Sequence, residues 1–146
     1  MPTPKLPRQL RKIADRNLLA NIENGLVKVE EELLEATAHT DPIAKVTARH
    51  LVDAGGKRIR PVLVLLAAQL GDHTKQEVID AAVVVELTHL ATLYHDDVMD
   101  EAPTRRGVPT AHTRWGNSVA ILTGDLLFAR ASKVGVNLGT RALELQ

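Results

Sequence analysis

Three aspartates stand close together in the stretch LYHDDVMDE, residues 93–101. On a helix, Asp96 and Asp100 share one face, and Asp97 lies about 100° further round the axis. Carboxylates at this spacing repel each other unless a cation lies between them. Oxygen ligands of this kind favour Mg²⁺, which keeps several waters and often bridges to phosphate oxygens. The motif predicts a magnesium ion that holds a phosphorylated ligand, and a solvated acidic helix end is the alternative.

The stretch GGKRIRP, residues 55–61, predicts an anion site. Its two glycines let the backbone turn and approach a ligand closely. Lys57, Arg58 and Arg60 lie just before a helix that Pro61 can start, and a helix N-terminus itself favours anions. The predicted ligand is a phosphate or diphosphate, and a basic surface turn is the alternative.

A second basic cluster, Arg105 and Arg106, follows the aspartates just past the predicted end of their helix. Both side chains can fold back toward a metal-bound phosphate and offer bidentate donors. His89 lies on the Asp96 side of the helix, about 10 Å lower along its axis. Two basic sites beside one acidic site predict two phosphorylated substrates.

Helices must position these residues, because helical spacing of apolar side chains runs through nearly the whole chain. No alternating strand pattern is found, and residues 103–117 are predicted to form a loop, so the predicted fold class is all-α. The first helix carries the stripe Ile22, Leu26, Val29 and Leu33. The later helices are predicted from Asp41-Pro42 to Gly55-Gly56, from Pro61 to about Gly71, from a capping box at Thr74 and Glu77 to about Glu101 before Pro103, from Asn117 or Ser118, and from Thr140.

The composition is typical of one soluble globular domain, with 146 residues, 45% hydrophobic and 25% charged. A formal net charge of zero and a single Trp, Tyr and Phe argue against nucleic-acid binding. The absence of cysteine excludes disulfides and thiolate metal sites and is compatible with a cytosolic setting. The apolar runs are too short or too interrupted to span a bilayer. The basic start, residues 1–16, is predicted to be an arm or helix and not a secretory signal.

Three stretches, GGKRIRP, ELTHLATLYHDDVMDEAPTRRG and GNSVAILTGDLLFARA, occur in this order and resemble the all-trans polyprenyl diphosphate synthases. The resemblance covers roughly residues 40–135. It implies an all-α bundle of the isoprenyl diphosphate synthase (terpenoid synthase) type around a deep cavity. It also implies a prenyltransferase that condenses an allylic diphosphate with isopentenyl diphosphate.

The resemblance assigns the allylic diphosphate (geranyl, farnesyl or longer) to the acidic motif, residues 96–100. Asp96 and Asp100 would bind the Mg²⁺ that clamps this diphosphate, with Asp97 in support. Arg105 would contact the same diphosphate. The allylic C–O bond must ionise, and Mg²⁺ and arginine stabilise the charge that develops on the departing diphosphate.

The resemblance assigns isopentenyl diphosphate to Lys57, Arg60, His89 and Arg106, with Arg58 as a weaker candidate. The isopentenyl double bond would attack the allylic cation, and the released diphosphate would accept the proton that is then lost. No nucleophilic serine or cysteine is required. The predicted catalytic set is Asp96, Asp100, Arg105 and Lys57.

In this family, residues just before the first aspartate motif limit the length of the product, because bulky aromatic side chains there close the cavity. This sequence has the small residues Ala91 and Thr92 at those positions. The resemblance therefore implies a medium- or long-chain all-trans polyprenyl diphosphate, beyond farnesyl and suited to a quinone side chain. Small residues that merely allow close helix packing are the alternative.

The family has a second aspartate-rich motif downstream, whereas Asp125 is the only aspartate that follows Asp100 here. Residues 1–146 are therefore expected to be the N-terminal part of a single all-α domain that is incomplete alone. The resemblance implies a homodimer. It also implies a cytoplasmic protein, which its lipophilic product could bring to the membrane surface.

Three other functions stay open at this point. A non-catalytic or partner subunit of a heteromeric prenyl synthase would bind diphosphate without turnover. A di-metal oxidoreductase would use Glu86 and His89, which spell E-x-x-H, but it needs a second such pair that the sequence lacks. A purely structural helical interaction domain would show no Mg²⁺-dependent ligand binding.

Overall fold

The computed structural model describes residues 11, 12 and 15–145, so most of the predicted basic arm (residues 1–16) lies outside the described residues. Seven α-helices and one short hairpin make up this part of the chain, which confirms the all-α prediction. In chain order the elements are α1 (Arg16–Ala36), α2 (Pro42–Asp53), α3 (Ile59–Ala68), α4 (Gln76–Met99), β1 (Thr104–Arg105), β2 (Val108–Pro109), α5 (Ala111–Trp115), α6 (Asn117–Gly135), a 3₁₀ turn (Val136–Leu138) and α7 (Thr140–Glu144).

Helix α4 is the centre of the fold, because α1, α3 and α6 all pack against it. Its apolar residues are distributed around the whole helix, which is the pattern of a core helix and not of a surface helix. By length and composition alone α4 could cross a membrane, yet 61% of its most apolar window is buried inside the protein. Burial of this kind identifies α4 as the core helix that carries the acidic motif.

The predicted start of α2 at Asp41-Pro42 is confirmed. Asp41 accepts a hydrogen bond from the Ala44 backbone N–H at 2.8 Å, and Pro42 occupies the first helical position. At the start of α1, Asp15 caps in the same way, through the Leu18 N–H at 2.7 Å. The predicted buried stripe of α1 is also confirmed, since all four of its residues are at most 1% exposed.

Two predicted helix starts are wrong in detail. Helix α3 begins at Ile59, two residues before Pro61, because a proline in the first turn lacks only an N–H that has no partner within the helix. The capping box does not form. Thr74 donates its hydroxyl to Asp72 at 2.6 Å, and Lys75 precedes the first residue of α4 without a side-chain cap.

The predicted loop at residues 103–117 contains a two-stranded antiparallel hairpin and the short helix α5. Arg106 and Gly107 form its turn, with φ of 54° and 79°. Two central residues with positive φ are typical of the type I′ hairpin turn. Strands of two residues are too short to show alternation, so no strand pattern is visible in the sequence there. We call residues 104–109 the arginine hairpin.

Helices α4 and α6 approach closely at Gly124. A Cβ on this residue would lie 2.3 Å from His95 Nε2 and 3.2 Å from the Ala91 carbonyl oxygen. His95 Nε2 lies 3.1 Å from the Ile121 carbonyl oxygen and 3.3 Å from Asp125 Oδ1. The imidazole of His95 therefore packs on α6, although His95 is the neighbour of Asp96 in the chain.

Candidate diphosphate and metal site

The acidic motif lies at the C-terminal end of α4, where Asp100 is the first residue after the helix. Asp96 is half-buried and Asp100 is exposed. Among the described residues, neither carboxylate has a hydrogen-bond or ion-pair partner. Two unpaired carboxylates at this spacing fit a hard divalent cation, which offsets their repulsion.

The described residues contain no group of three or more His, Asp or Glu side chains arranged to hold a metal. A cation at Asp96 and Asp100 would therefore take its remaining ligands from water or from phosphate oxygens. Mg²⁺ prefers this coordination, because it dehydrates reluctantly and is bound through one or two carboxylates plus substrate phosphates.

Asp97 is separated from the other two aspartates of the motif. It is 1% exposed, and its Oδ1 accepts a hydrogen bond from Arg105 Nε at 2.5 Å. This charge-assisted bond joins the end of α4 to the arginine hairpin. Arg105 Nε makes this bond, and its terminal nitrogens have no hydrogen-bond partner among the described residues, so they can bind an anion. Asp97 thus orients an arginine, in addition to any role beside the metal.

We call residues 55–60, which include the first two residues of α3, the basic loop, and three of them have positive φ. Gly55 and Gly56 have φ of 76° and 154°, and Arg58 has φ of 49°. Arg58 turns inward and is only 3% exposed, whereas its neighbours Lys57 and Arg60 are exposed. Lys57 and Arg60 form no ion pair with any described residue, so the loop presents two cationic side chains on its outer side.

Arg106 of the arginine hairpin binds the backbone of the basic loop. Its guanidinium donates to the Leu51 carbonyl oxygen at 2.7 Å and also to the Gly55 carbonyl oxygen. Gly56 allows this approach, because a Cβ there would lie 3.0 Å from the Arg106 guanidinium carbon. Burial, followed by the nearby charge of Arg58, lowers the pKa of Arg106. The two predicted basic clusters are therefore in direct contact.

The side chain of His89 lines a cleft together with Arg60. Burial, followed by the positive charges of Arg60, Arg106 and Arg105, lowers the pKa of His89 to about 4, while the charge of Asp96 opposes this shift. The positive charges of both basic clusters and the negative charge of Asp96 therefore act on His89. The imidazole is neutral at pH 7 and can donate one hydrogen bond to an anion.

An open cleft of about 700 Å³ runs along α4 from this charged end. Arg60 and His89 line its polar end, and Thr92 and Thr88 follow on the α4 wall. The remaining lining is apolar and comes from α3, α4, the 3₁₀ turn and the chain end: Leu63, Val64, Ala81, Val84, Val85, Leu138, Ala142 and Leu145. A ligand with an anionic head and a hydrocarbon tail fits this distribution of polarity.

The two predicted chain-length residues occupy different places. Thr92 lines the cleft, and its hydroxyl donates to the His89 carbonyl oxygen at 2.7 Å. Ala91 is fully buried in the core, and its carbonyl oxygen lies beside Gly124 of α6. Within the described residues, Thr92 therefore borders the cleft and Ala91 serves close packing of α4 on α6.

Glu86 belongs to a buried ionic cluster and not to a metal site. It is 2% exposed, and its Oε1 accepts a hydrogen bond from Arg58 at 3.1 Å. Arg58 also bonds Glu30 of α1 at 2.5 and 3.2 Å. This arrangement is at odds with a di-metal centre built on Glu86 and His89.

Sequence reasoning missed this cluster and the Asp97–Arg105 pair. A lone glutamate in the apolar run AAVVVELTHL signals a buried partner, because an unpaired buried carboxylate is costly. The spacing along the chain could not identify that partner as Arg58, which is 28 residues away.

Comparison with known proteins identifies the family of the chain. Residues 41–146 match the polyprenyl synthetase family model. The chain is 42% identical over 134 residues to the nonaprenyl diphosphate synthase of Mycobacterium tuberculosis, covering 91% of this chain and 40% of that protein. It is 47% identical over 119 residues to heptaprenyl diphosphate synthase component 2 of Geobacillus stearothermophilus, covering 81% and 37%.

Solved structures agree as well. The polyprenyl synthase of Caulobacter crescentus, crystallised with calcium and isoprenyl diphosphate, superposes with a TM-score of 0.81 at 38% identity, covering 87% of this chain and 39% of that one. The chain spans about 40% of the length of the curated relatives that it matches. Because the family model matches residues 41–146 and relatives are more than 40% identical over most of the chain, the chain belongs to the polyprenyl synthetase family.

Proposed function

We propose that this chain carries the substrate-binding part of a Mg²⁺-dependent prenyltransferase that condenses an allylic diphosphate with isopentenyl diphosphate. The product is a medium- or long-chain all-trans polyprenyl diphosphate. The observation that carries the proposal is the cleft along α4, which has Arg60 and His89 at one end and a mostly apolar lining along the rest of its length. An isoprenoid diphosphate has the same division between an anionic head and a hydrocarbon tail.

The allylic diphosphate is assigned to Asp96, Asp100 and Arg105. Asp96 and Asp100 would hold Mg²⁺, which supplies positive charge to the oxygens of the departing diphosphate. Arg105, oriented by Asp97, donates hydrogen bonds to the same group. The Caulobacter crescentus polyprenyl synthase was crystallised with calcium and isoprenyl diphosphate, which supports the proposal of a divalent cation.

Isopentenyl diphosphate is assigned to Lys57, Arg60 and His89, with Arg106 beside them. Lys57 and Arg60 are exposed cations on the outer side of the basic loop. Neutral His89 donates one hydrogen bond to the diphosphate. These residues would fix the isopentenyl double bond close to the allylic carbon, and such positioning supplies a large part of the rate enhancement.

The reaction then breaks one bond and forms another. The allylic C–O bond breaks, and its electron pair leaves with the diphosphate. The isopentenyl double bond donates its electrons to the allylic carbon, forming the new C–C bond, and a proton is lost from the isopentenyl unit to the released diphosphate. Residues along the cleft, including Thr92 and Val85, would receive the growing chain.

A second candidate is a subunit that binds diphosphate and turns over only with a partner chain. The observation in its favour is the 47% identity to a protein named as component 2 of a heptaprenyl diphosphate synthase. This candidate predicts the same binding residues. It differs in predicting no product from the chain alone, even when binding is intact.

The test is a product assay with this chain, Mg²⁺, labelled isopentenyl diphosphate and farnesyl diphosphate, with products resolved by chain length. A ladder of prenyl products supports the enzyme. Binding of labelled isopentenyl diphosphate without product favours the subunit. Absence of both Mg²⁺-dependent binding and product would refute the proposal.

Asp96→Asn is the matched probe of the metal assignment. The carboxylate has no described partner, so the variant should keep the urea midpoint of unfolding, while Mg²⁺-dependent affinity for a farnesyl thiolodiphosphate falls by about tenfold or more. Glu101→Gln removes a charge from an exposed neighbour and serves as the control. Equal affinities of the two variants would remove Asp96 from the site.

Two further parts of the proposal concern assembly and location. We propose a homodimer, for which exposed apolar side chains such as Ile43, Val46 and Leu122 offer surface to cover. Light scattering behind a sizing column measures the mass directly. We also propose a cytoplasmic protein that associates with membranes through its lipophilic product, and cell fractionation tests this.

A further inference from the structure

The basic loop and the arginine hairpin are joined beneath their outer surfaces by one buried ionic cluster. Glu86 Oε1 of α4 accepts a hydrogen bond from Arg58 at 3.1 Å, and Arg106 Nη2 lies 4.0 Å from the same oxygen. Burial raises the pKa of Glu86, while the charges of Arg58 and Arg106 lower it. One carboxylate on the core helix thus faces a guanidinium from each of the two basic segments.

Arg58 connects this carboxylate to the backbone of the basic loop. Its guanidinium donates to the carbonyl oxygens of Val52 at 3.2 Å and Gly55 at 3.4 Å, in addition to its bonds with Glu30 and Glu86. Burial lowers its pKa, but the hydrogen bond and charge of Glu30, joined by Glu86, outweigh this and raise the pKa overall. Because the guanidinium nitrogens of Arg58 already donate these hydrogen bonds, Arg58 is unavailable to a substrate.

The cluster determines which side chains of the loop point outward. Arg58 has positive φ, a conformation that costs a non-glycine residue about 1 kcal/mol or more and persists only where surrounding contacts enforce it. With Arg58 held inward, its neighbours Lys57 and Arg60 are exposed. Arg106 is held inward in the same manner, while Arg105 turns to Asp97.

We infer that Glu86 is a positioning residue for the diphosphate site, which fixes the basic loop and the arginine hairpin relative to each other through Arg58 and Arg106. The inference rests on the proposed function for its consequence in substrate binding. Its structural content is independent of any ligand, because it concerns how two segments are held on α4.

The variant Glu86→Gln keeps the size of the side chain and removes its charge, and Glu77→Gln on the exposed first turn of α4 is the matched control. Amide hydrogen exchange of the ligand-free chain is the first readout. We expect exchange in residues 53–60 and 104–109 to become about tenfold faster in Glu86→Gln, since a charge-assisted hydrogen bond contributes an effect of this size, while α6 keeps the rates of the wild type.

The second readout is affinity for isopentenyl diphosphate, measured by titration calorimetry. We expect it to fall by about tenfold in Glu86→Gln and to recover in part in Glu86→Asp, which restores the charge. If Glu86→Gln does not fold, Glu86→Asp is compared with the wild type in both assays, with smaller shifts expected in the same direction.

Unchanged exchange in the two segments would overturn the inference. Faster exchange throughout the chain, α6 included, would also overturn it, because Glu86 would then contribute only to global stability. If the wild-type chain does not bind isopentenyl diphosphate, the proposed function fails, whereas the exchange comparison still decides the role of Glu86.

Discussion

The hydroxyl group of Thr88 is buried without a hydrogen-bond partner among the described residues. The side chain nevertheless lies on the wall of the cleft. Thr92, one turn later on the same wall, donates its hydroxyl to the His89 carbonyl oxygen at 2.7 Å. Thr88 and Thr92 therefore lie in similar positions on α4, but only the hydroxyl of Thr92 has a hydrogen-bond partner among the described residues.

We predict that Thr88→Val stabilises the protein. A buried polar group without a partner costs about 1–3 kcal/mol, and valine has nearly the shape of threonine without the hydroxyl. We expect a gain of about 1–2 kcal/mol in the free energy of unfolding. With an unfolding entropy of about 2.1 cal/mol/K per residue, this gain raises the melting temperature by about 3–7 °C.

Thr92→Val is the control, because threonine and valine have similar helix propensity and both sites lie on α4. Loss of the Thr92 hydrogen bond should reduce the free energy of unfolding by about 0.5–1 kcal/mol. Urea unfolding followed by circular dichroism measures both variants with the same slope. If Thr88→Val is destabilised as much as Thr92→Val, the Thr88 hydroxyl has a partner and the reasoning is refuted.

Three further predictions concern the same region. Gly124→Ala should reduce the free energy of unfolding by about 1–3 kcal/mol in urea titrations, because its Cβ would lie 2.3 Å from His95 Nε2; an unchanged midpoint would show that the imidazole of His95 moves freely. The pKa of His89 is about 4 in the folded chain and about 6.5 when unfolded, so its contribution is fully present above about pH 6.5 and is lost as the pH falls toward 4. His89→Gln should therefore flatten the dependence of unfolding free energy on pH between these values, and a parallel curve would contradict the assignment. Thr92→Phe should shorten the products of an active form in the chain-length assay, whereas Ala91→Phe should lower the urea midpoint through overpacking against α6; the opposite pattern would exchange their roles.

Much of the fold was predictable because local chemistry decides it. The stripe of Ile22 and its partners on α1 has helical spacing, and Asp41 with Pro42 is a start signal that acts through neighbouring backbone N–H groups. The end of α4 before Pro103 follows from the same kind of local rule, within four residues. These features depend on residues only a few positions apart, which a sequence displays directly.

The sequence by itself also determined the chemical character of the site, because the residue types in the acidic motif and the two basic clusters carry their charge wherever they lie. What it could not determine is which charges meet. Asp97 turns to Arg105, Arg58 turns inward to Glu86, and Asp96 and Asp100 keep their carboxylates without a described partner. Only the packing of α1, α4 and the two basic segments decides this, because an ion pair between residues far apart in sequence depends on distances that no local propensity fixes.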